Sequence, residues 1–308
     1  MKFFDLHCDT ITGLETVGKD LDYEACAVSL SKADFDAYAQ CFAVFLSDEY
    51  RGEAAIEKWD RVYHCFCRQM ARFSQRIEQV FSFSNLVQII KAGKIAAILT
   101  TESAAAFAGD LKRIELLRSR GCLITSLTWN GANELAGGVY APEVGLTGFG
   151  REAVAEMERV GMIVDISHLC DQAVDDLLKI AKRPIIATHS NSRPVCNAQR
   201  NLTDEQFQEI VRRGGLVGIN FLRYFLREDD PDRADMEDIL RHVEHFLALG
   251  GEDTIAFGSD YDGANIPVSF DSLEKMHSVY DYLEKQLSRS ILEKLFFQNA
   301  WNFFQRNF

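Results

Sequence analysis

The chain has 308 residues, with 46 acidic side chains against 33 Lys and Arg, and a formal net charge of −13 at pH 7. Such an acidic balance argues against nucleic acid or an anionic membrane as partner, and no apolar run reaches the ~18 residues of a membrane helix. The N-terminal stretch has no room for a signal peptide, so we expect a cytoplasmic location in which the eight cysteines are reduced.

Short apolar runs alternate with amphipathic stretches along the chain. The runs are rich in Val, Ile, Leu and Phe without clean alternation, which is typical of parallel strands covered on both faces. Eight strands are predicted, at residues 3–7, 41–46, 95–101, 122–127, 163–168, 184–189, 216–220 and 254–258.

Helical patterns separate these strands and carry recognisable end signals. Gly161 is placed to end one helix, and Thr203 with Gln206 forms a capping-box pattern that opens another. An aromatic tail follows the last helix. The predicted helices cover residues 53–75, 84–92 (which opens with a cap at Ser84), 110–119, 151–160, 171–182, 204–213, 236–249, 271–287 and 288–297.

Eight strand-then-helix units predict the α/β class and a single (β/α)8 TIM barrel with C-terminal helices, in which residues 1–308 make one domain. The alternative is an open doubly wound sheet, which would want a Gly-rich phosphate loop after its first strand. Here the first strand ends in His7-Cys8-Asp9 instead, so we favour the barrel.

Polar residues collect at the predicted C-terminal ends of the strands, where barrels of this type carry their functional groups. Each has an ordinary explanation on its own, as a helix cap, a turn residue or a satisfied core histidine. Together they include three of only seven histidines, and they suit two metals that share a carboxylate, with Zn²⁺ favoured over Mg²⁺. The residues are His7, Asp9, Glu102, His168, His189 and Asp260.

The other four histidines, at positions 64, 242, 245 and 277, fall on predicted helices and receive no role.

Longer motifs make a family resemblance specific, and they run in family order along nearly the whole chain. The chain resembles the membrane dipeptidase (renal dipeptidase) family of the metal-dependent amidohydrolase superfamily. An opening His-x-Asp also separates it from deaminases and ureases, which usually begin with His-x-His. The matching segments are Asp5-Leu6-His7-Cys8-Asp9, Gly145 to Glu152, Gly161 to His168, Thr188-His189-Ser190-Asn191-Ser192-Arg193, Arg200-Asn201-Leu202 and Gly258 to Gly263.

The resemblance implies a binuclear zinc centre. His7 and Asp9 would hold one Zn²⁺, and His168 and His189 would hold the second. Glu102 would bridge the two ions, together with a water or hydroxide, where other members of the superfamily use a carbamylated lysine.

The implied reaction is hydrolysis of the peptide bond of a small dipeptide by metal-activated hydroxide. Asp260 would shuttle the proton to the leaving amine, and Arg200 would bind the free carboxylate of the substrate with its planar fork. A carboxylate anchored near the metals would fix the length of the peptide. The family also suggests tolerance of a D-residue at the C-terminal position, and it commonly forms homodimers.

Two positions depart from the family pattern. Animal members carry a His after the Leu-Thr of the fourth strand, thought to stabilise the oxyanion, whereas Thr128 is followed here by Trp129 and Asn130. Asn130, the metal alone or another group could take that role. A Tyr expected after Phe221 is replaced by Leu222, which leaves the substrate preference open.

Two alternative functions remain. The same metal site could serve another amidohydrolase-type reaction, such as that of a lactonase or a D-aminoacylase. A non-catalytic binding or structural barrel is the third hypothesis, and the full ligand set argues against it.

Overall fold

Nine parallel strands form one sheet in the computed structural model, which describes residues 1–308. The sheet closes because the second strand pairs with both the first and the fourth, and the last pairs with the first. The predicted eight-stranded barrel is therefore confirmed. The strands are β1 (Lys2–Cys8), β2 (Ala37–Phe45), β3 (Ile77–Gln79), β4 (Ile95–Glu102), β5 (Cys122–Ser126), β6 (Ile163–Asp165), β7 (Ile186–Ala187), β8 (Leu216–Ile219) and β9 (Ile255–Phe257).

Helices surround the barrel and close one end of it. Two predicted cap signals are confirmed, because Gly161 has a left-handed backbone after its helix and Thr203 and Gln206 form the capping box. The predicted cap at Ser84 is wrong, because the side chain of Ser82 accepts the N–H of Asn85 and α3 begins at Phe83. No helix is both long and apolar enough to span a membrane. The helices are α1 (Thr10–Val17), α2 (Gly52–Arg72), α3 (Phe83–Lys91), α4 (Lys112–Ser119), α5 (Gly148–Val160), α6 (Asp171–Ile180), α7 (Asp204–Arg212), α8 (Arg223–Leu226), α9 (Met236–Ala248), α10 (Met276–Leu283), α11 (Arg289–Glu293) and α12 (Asn299–Asn307).

Four elements were not predicted: α1, α8, α12 and β3. Helix α1 reads Thr-Ile-Thr-Gly-Leu-Glu-Thr-Val, and its β-branched residues and glycine disfavour a helix locally. Burial of Ile11 and Leu14 in the core overrides that preference. Helix α8 is a single turn, and strand β3 has only three residues, with Glu78 and Gln79 beside Ile77, so neither has a clear periodic signal.

The C-terminal region departs most from the predicted bounds. The predicted helix 271–287 is a 3₁₀ turn followed by α10, and the predicted helix 288–297 is α11 followed by a π-helical turn at Lys294–Gln298. The aromatic tail lies in α12 and packs below the barrel. The ring of Phe4 lies 5.0 Å from that of Phe304 in the tail and 6.2 Å from that of Phe297 in the π-helical turn. The C-terminal helices therefore cover the end of the barrel opposite the strand C-termini.

Two apolar layers lie on the two sides of the sheet. The outer layer of 68 buried residues joins strands to helices and contains Phe3, Ile255 and Phe257. The inner layer has 20 buried residues and fills the barrel. Each barrel strand contributes to this inner layer, with Phe4, Ala39, Ile98, Ile124, Ile163, Ile186, Leu216 and Ala256.

Candidate metal centre

The predicted strand-end residues converge above the inner layer, at the C-terminal rim of the barrel. Five of them are less than a tenth exposed: His7, Asp9, Glu102, His168 and His189. Glu102 lies between the others: its Oε2 is 3.4 Å from His7 Nε2, and its Oε1 is 2.7 Å from His168 Nε2 and 3.9 Å from His189 Nε2. The structure therefore brings together side chains from β1 and β4 and from the segments that follow β6 and β7.

The acidic half of the centre consists of His7, Asp9 and Asp260. His7 Nε2 lies 3.5 Å from Asp9 Oδ2 and 3.9 Å from Asp260 Oδ1. The ligand atoms of these three residues lie within 4.8 Å of one another, and so do those of His7, Glu102 and His189. Two overlapping ligand groups thus share His7.

The imidazole half consists of His168 and His189, whose Nε2 atoms are 2.9 Å apart. His168 Nδ1 lies 2.9 Å from the side-chain oxygen of Asn130, which only accepts, so Nδ1 carries the proton. His189 Nδ1 lies 2.8 Å from the hydroxyl of Thr188. That hydroxyl donates to Asp165 and therefore accepts from His189. The Nε2 atoms of His168 and His189 therefore carry no proton, and each has a free lone pair.

The donor set fits divalent metal ions. Two imidazole nitrogens without protons and Glu102 Oε1 converge, and such a cluster of lone pairs is stabilised by a metal cation placed among the atoms. In the acidic half, His7 Nε2 and Asp9 Oδ1 are buried without a hydrogen-bond partner. Burial, with the charge of Asp9 adding to it, raises the pKa of Glu102 to about 7, so a cation in the pocket would favour the ionised form of this carboxylate.

Backbone conformation aims two of these side chains. His168 has φ +74° and Asp260 has φ +64°, in the left-handed region that non-glycine residues rarely adopt. Gly263 makes room beside them, because a Cβ at this position would lie 2.0 Å from Asp9 Oδ2. The Asp-Tyr-Asp-Gly segment is thus both the tight turn and the source of a site residue.

Asp260 is held at the edge of the cluster. Asn220 donates to its Oδ2 at 3.0 Å, while Oδ1 faces His7. Burial raises the pKa of Asp260, and the nearby His7 opposes that shift. A carboxylate whose pKa is raised in this way accepts a proton more readily than an ordinary aspartate does.

Arg200 lies in the same cavity and forms no ion pair. It is 7% exposed, and its guanidinium donates only long hydrogen bonds, at 3.4 Å to Ser190 Oγ and 3.3 Å to the carbonyl of His189. Its Nε has no acceptor. Phe225 covers one face of the guanidinium at 5.5 Å. A buried guanidinium with a free donor is a ready partner for a carboxylate.

The cavity that joins these groups has a volume of about 1000 Å³. Asn130 lines it, but its side-chain oxygen is directed to His168, so it orients a site histidine in this structure. Tyr140 and Tyr224 are exposed and line the cavity, as does Leu222. The space is ample for a small peptide.

The sequence analysis missed several supporting residues. Asn220 lies just beyond the end of β8, so the same rule of strand ends could have found it. Asp165 and Thr188 were visible within family motifs but carried no role. The four histidines left without a role all lie on helices, as expected: positions 64 on α2, 242 and 245 on α9, and 277 on α10.

Known proteins are similar to this chain in sequence and in fold. An uncharacterised dipeptidase of Schizosaccharomyces pombe is 32% identical over 205 residues, which are 64% of this chain and 48% of that protein. The chain thus spans about half the length of that relative. A solved metallopeptidase called dipeptidase AC is 25% identical, with a TM-score of 0.93 and coverage of 100% of this chain and 98% of that chain.

A second structure shows the same fold. It is a metallopeptidase from Rhodobacter sphaeroides with a bound phosphinate mimic of L-Ala-D-Ala, 24% identical, with a TM-score of 0.93 and coverage of 100% and 99% of the two chains. The model of the family described as membrane dipeptidase (peptidase family M19) matches residues 1–306. The chain therefore belongs to the membrane dipeptidase family, peptidase family M19, a family of metallo-dipeptidases.

Proposed function

We propose that the chain is a binuclear zinc dipeptidase that hydrolyses the single peptide bond of small dipeptides. One observation carries the proposal: the two oxygens of Glu102 face different histidines, Oε2 toward His7 and Oε1 toward His168. A carboxylate shared in this way suits a pair of metal ions. The acidic and imidazole halves of the centre supply the remaining ligands.

In this proposal His7 and Asp9 hold one Zn²⁺, and His168 and His189 hold the other. Bare imidazole nitrogens favour zinc or a similar transition ion over Mg²⁺ or Ca²⁺. Bound divalent ions lower the pKa of a water molecule toward neutrality and polarise a carbonyl oxygen. The remaining work falls to side chains of the protein.

Asp260 is proposed to transfer the proton, and Arg200 to bind the substrate. Asp260 accepts a proton from the attacking water and returns it to the leaving amine, since its Oδ1 faces the cluster while Asn220 fixes Oδ2. Arg200 binds the C-terminal carboxylate of the substrate through donors that no protein carboxylate occupies. Because the C-terminal carboxylate of the substrate is held close to the metals, only the peptide bond next to that carboxylate can reach them, which favours dipeptides.

The test is a substrate panel on the zinc-loaded enzyme. It contains L,L-dipeptides, L,D-dipeptides and the same dipeptides with a blocked N- or C-terminus. L-Ala-D-Ala is included because the Rhodobacter structure holds a mimic of it. We expect hydrolysis of free dipeptides, with tolerance of a D-residue at the C-terminal position and a large loss when the carboxylate is amidated.

N-acyl amino acids and lactones complete the panel. Turnover of these compounds with none of the dipeptides would replace the proposal with a D-aminoacylase or lactonase activity. Metal analysis of the purified protein runs in parallel. Two zinc ions per chain are expected, and no bound metal with unchanged stability after chelation would indicate a non-catalytic barrel.

We also propose that residues 1–308 act as one barrel domain, because the ring closes only when β9 pairs with β1. A cytoplasmic location is proposed with it, since all eight cysteines are free thiols, as in a reducing compartment. Cell fractionation tests the location. Light scattering of the purified protein tests the homodimer that the family suggests.

A further inference from the structure

The same hydrogen-bonded motif occurs at two junctions between neighbouring strands. In each, which we call a lock, an Asp on one strand accepts both the backbone N–H and the hydroxyl of a Ser or Thr that follows the neighbouring strand. Asp5 on β1 pairs in register with Phe257 on β9, and its carboxylate accepts from the residue two positions beyond that partner. The donors are the backbone N–H of Ser259, at 2.8 Å, and its hydroxyl, at 2.6 Å. Asp260 is the next residue, so the lock holds the backbone from which this side chain projects.

The second lock lies between β6 and β7. Asp165 pairs in register with Ile186, and its carboxylate again accepts from the residue two positions further. Thr188 donates its backbone N–H at 3.0 Å and its hydroxyl to this carboxylate. Ser167 donates its own N–H at 2.8 Å. His189 follows Thr188 in the sequence, just as Asp260 follows Ser259 in the first lock.

The two locks differ in what the hydroxyl oxygen accepts. Ser259 Oγ accepts the backbone N–H of Tyr261 at 3.2 Å. Thr188 Oγ1 accepts the ring Nδ1–H of His189 at 2.8 Å. The reason lies in the direction of each lock: Phe257 belongs to the outer apolar layer and Ile186 to the inner layer, so only the second lock faces the barrel interior.

We propose that Asp165 and Thr188 are positioning residues that set the tautomer and the aim of His189. The relay runs from the carboxylate through the hydroxyl to Nδ1. It leaves Nε2 without a proton and facing the metal centre, 2.9 Å from His168 Nε2 and 3.9 Å from Glu102 Oε1. This inference rests on the proposed metal centre.

The chemistry of the relay permits only one direction. An ionised carboxylate accepts and cannot donate, so the Thr188 hydroxyl hydrogen points to Asp165. The oxygen of the hydroxyl must then accept from His189. Asp165 is 3% exposed and receives three donors, which compensates for the burial of its charge. Partners of this kind behind a metal-binding histidine typically change metal affinity by about 10- to 100-fold.

The test compares three variants by chelator competition for Zn²⁺. Thr188→Val removes the hydroxyl and keeps the shape, and we expect one of the two zinc ions to bind about 10- to 100-fold more weakly. Thr188→Ser keeps the hydroxyl and should restore the affinity to within a few-fold of wild type. Ser259→Ala, the matched control from the other lock, should lower the Tm without weakening zinc at the His189 position.

Long-range ¹H–¹⁵N spectra of the zinc-loaded wild-type protein supply a readout that needs no substitution. His189 should be protonated at Nδ1 and coordinate through Nε2. Coordination through Nδ1, or equal zinc affinities in Thr188→Val and Thr188→Ser, would overturn the relay. A wild-type protein that binds no zinc would instead refute the proposed function, so the two failures are distinguishable.

Discussion

The acidic and imidazole halves of the metal centre would bind a cation through different kinds of ligand. His7 lies with two carboxylates, Asp9 and Asp260, whereas His168 and His189 meet each other through bare nitrogens. The first half attracts a cation through negative charge, and the second through lone pairs fixed by neighbouring hydrogen bonds. Glu102 is the group that both halves share. Substitutions should therefore affect one half selectively, except at Glu102.

Glu102→Gln should have the largest effect, because it removes charge from both halves at once. Removing one electrostatic group from an active site typically costs roughly 10²- to 10³-fold in turnover, and we expect a loss of kcat/KM of at least this size. Zinc content per chain and kcat/KM are the measurements. Glu49→Gln is the control, since Glu49 lines the same cavity but is exposed. Full zinc content with normal turnover in Glu102→Gln would contradict a bridging role.

Asp260→Asn separates proton transfer from metal binding within the acidic half. The variant keeps the shape of the side chain and a hydrogen-bond partner for Asn220, so we expect two zinc ions to remain. Removing a group that transfers protons typically lowers kcat by about 10²- to 10⁴-fold. If the zinc content fell by one ion instead, Asp260 would be a ligand of the acidic half. Near-normal turnover would show that another group moves the proton.

Arg200→Lys should have a smaller effect, confined to substrate binding. Lysine keeps the positive charge but loses the planar fork, and hydrogen bonds to charged groups are worth about 1.5–3 kcal/mol. We expect KM for free dipeptides to rise roughly 10- to 100-fold, with little change in kcat. Dipeptide amides serve as the comparison substrates. An equal rise in KM for the amides would argue against carboxylate recognition.

His242→Gln should have the smallest effect on turnover, and it contrasts a structural histidine with those of the centre. His242 is buried, and both of its nitrogens are satisfied: Nδ1 accepts from the N–H of Ser192, and Nε2 donates to the carbonyl of Leu226. Burial lowers its pKa from 6.5 to about 4. The folded protein therefore takes up this proton later than the unfolded chain, and stability is lost as the pH falls through that window.

The expected loss for wild type is up to about 3 kcal/mol between pH 7 and pH 4. Glutamine can reproduce both hydrogen bonds but does not titrate. The free energy of unfolding of the variant should therefore fall by up to about 3 kcal/mol less than that of wild type over this pH range. Urea unfolding at pH 7 and pH 4 measures the difference. Equal acid losses in the two proteins would mean that His242 does not titrate in this range.

Much of the fold and most of the centre followed from the sequence. Buried parallel strands read as apolar runs because both of their faces are covered, and the C-terminal ends of such strands meet at one rim. His7, Glu102 and His189 could therefore be grouped before any contact was known. Helix α1 could not be predicted, because its β-branched residues favour extended backbone until Ile11 and Leu14 are buried.

Only the tertiary structure decided which atoms face each other. A sequence places His168 and Asp260 near the rim, but their left-handed backbones and their neighbours determine where the side chains aim. The tautomer of His189 depends on Asp165, which lies 24 positions earlier in the chain and on another strand. Local residue order specifies the strands and their ends, whereas lone-pair direction depends on hydrogen bonds between strands, which form only when the barrel closes.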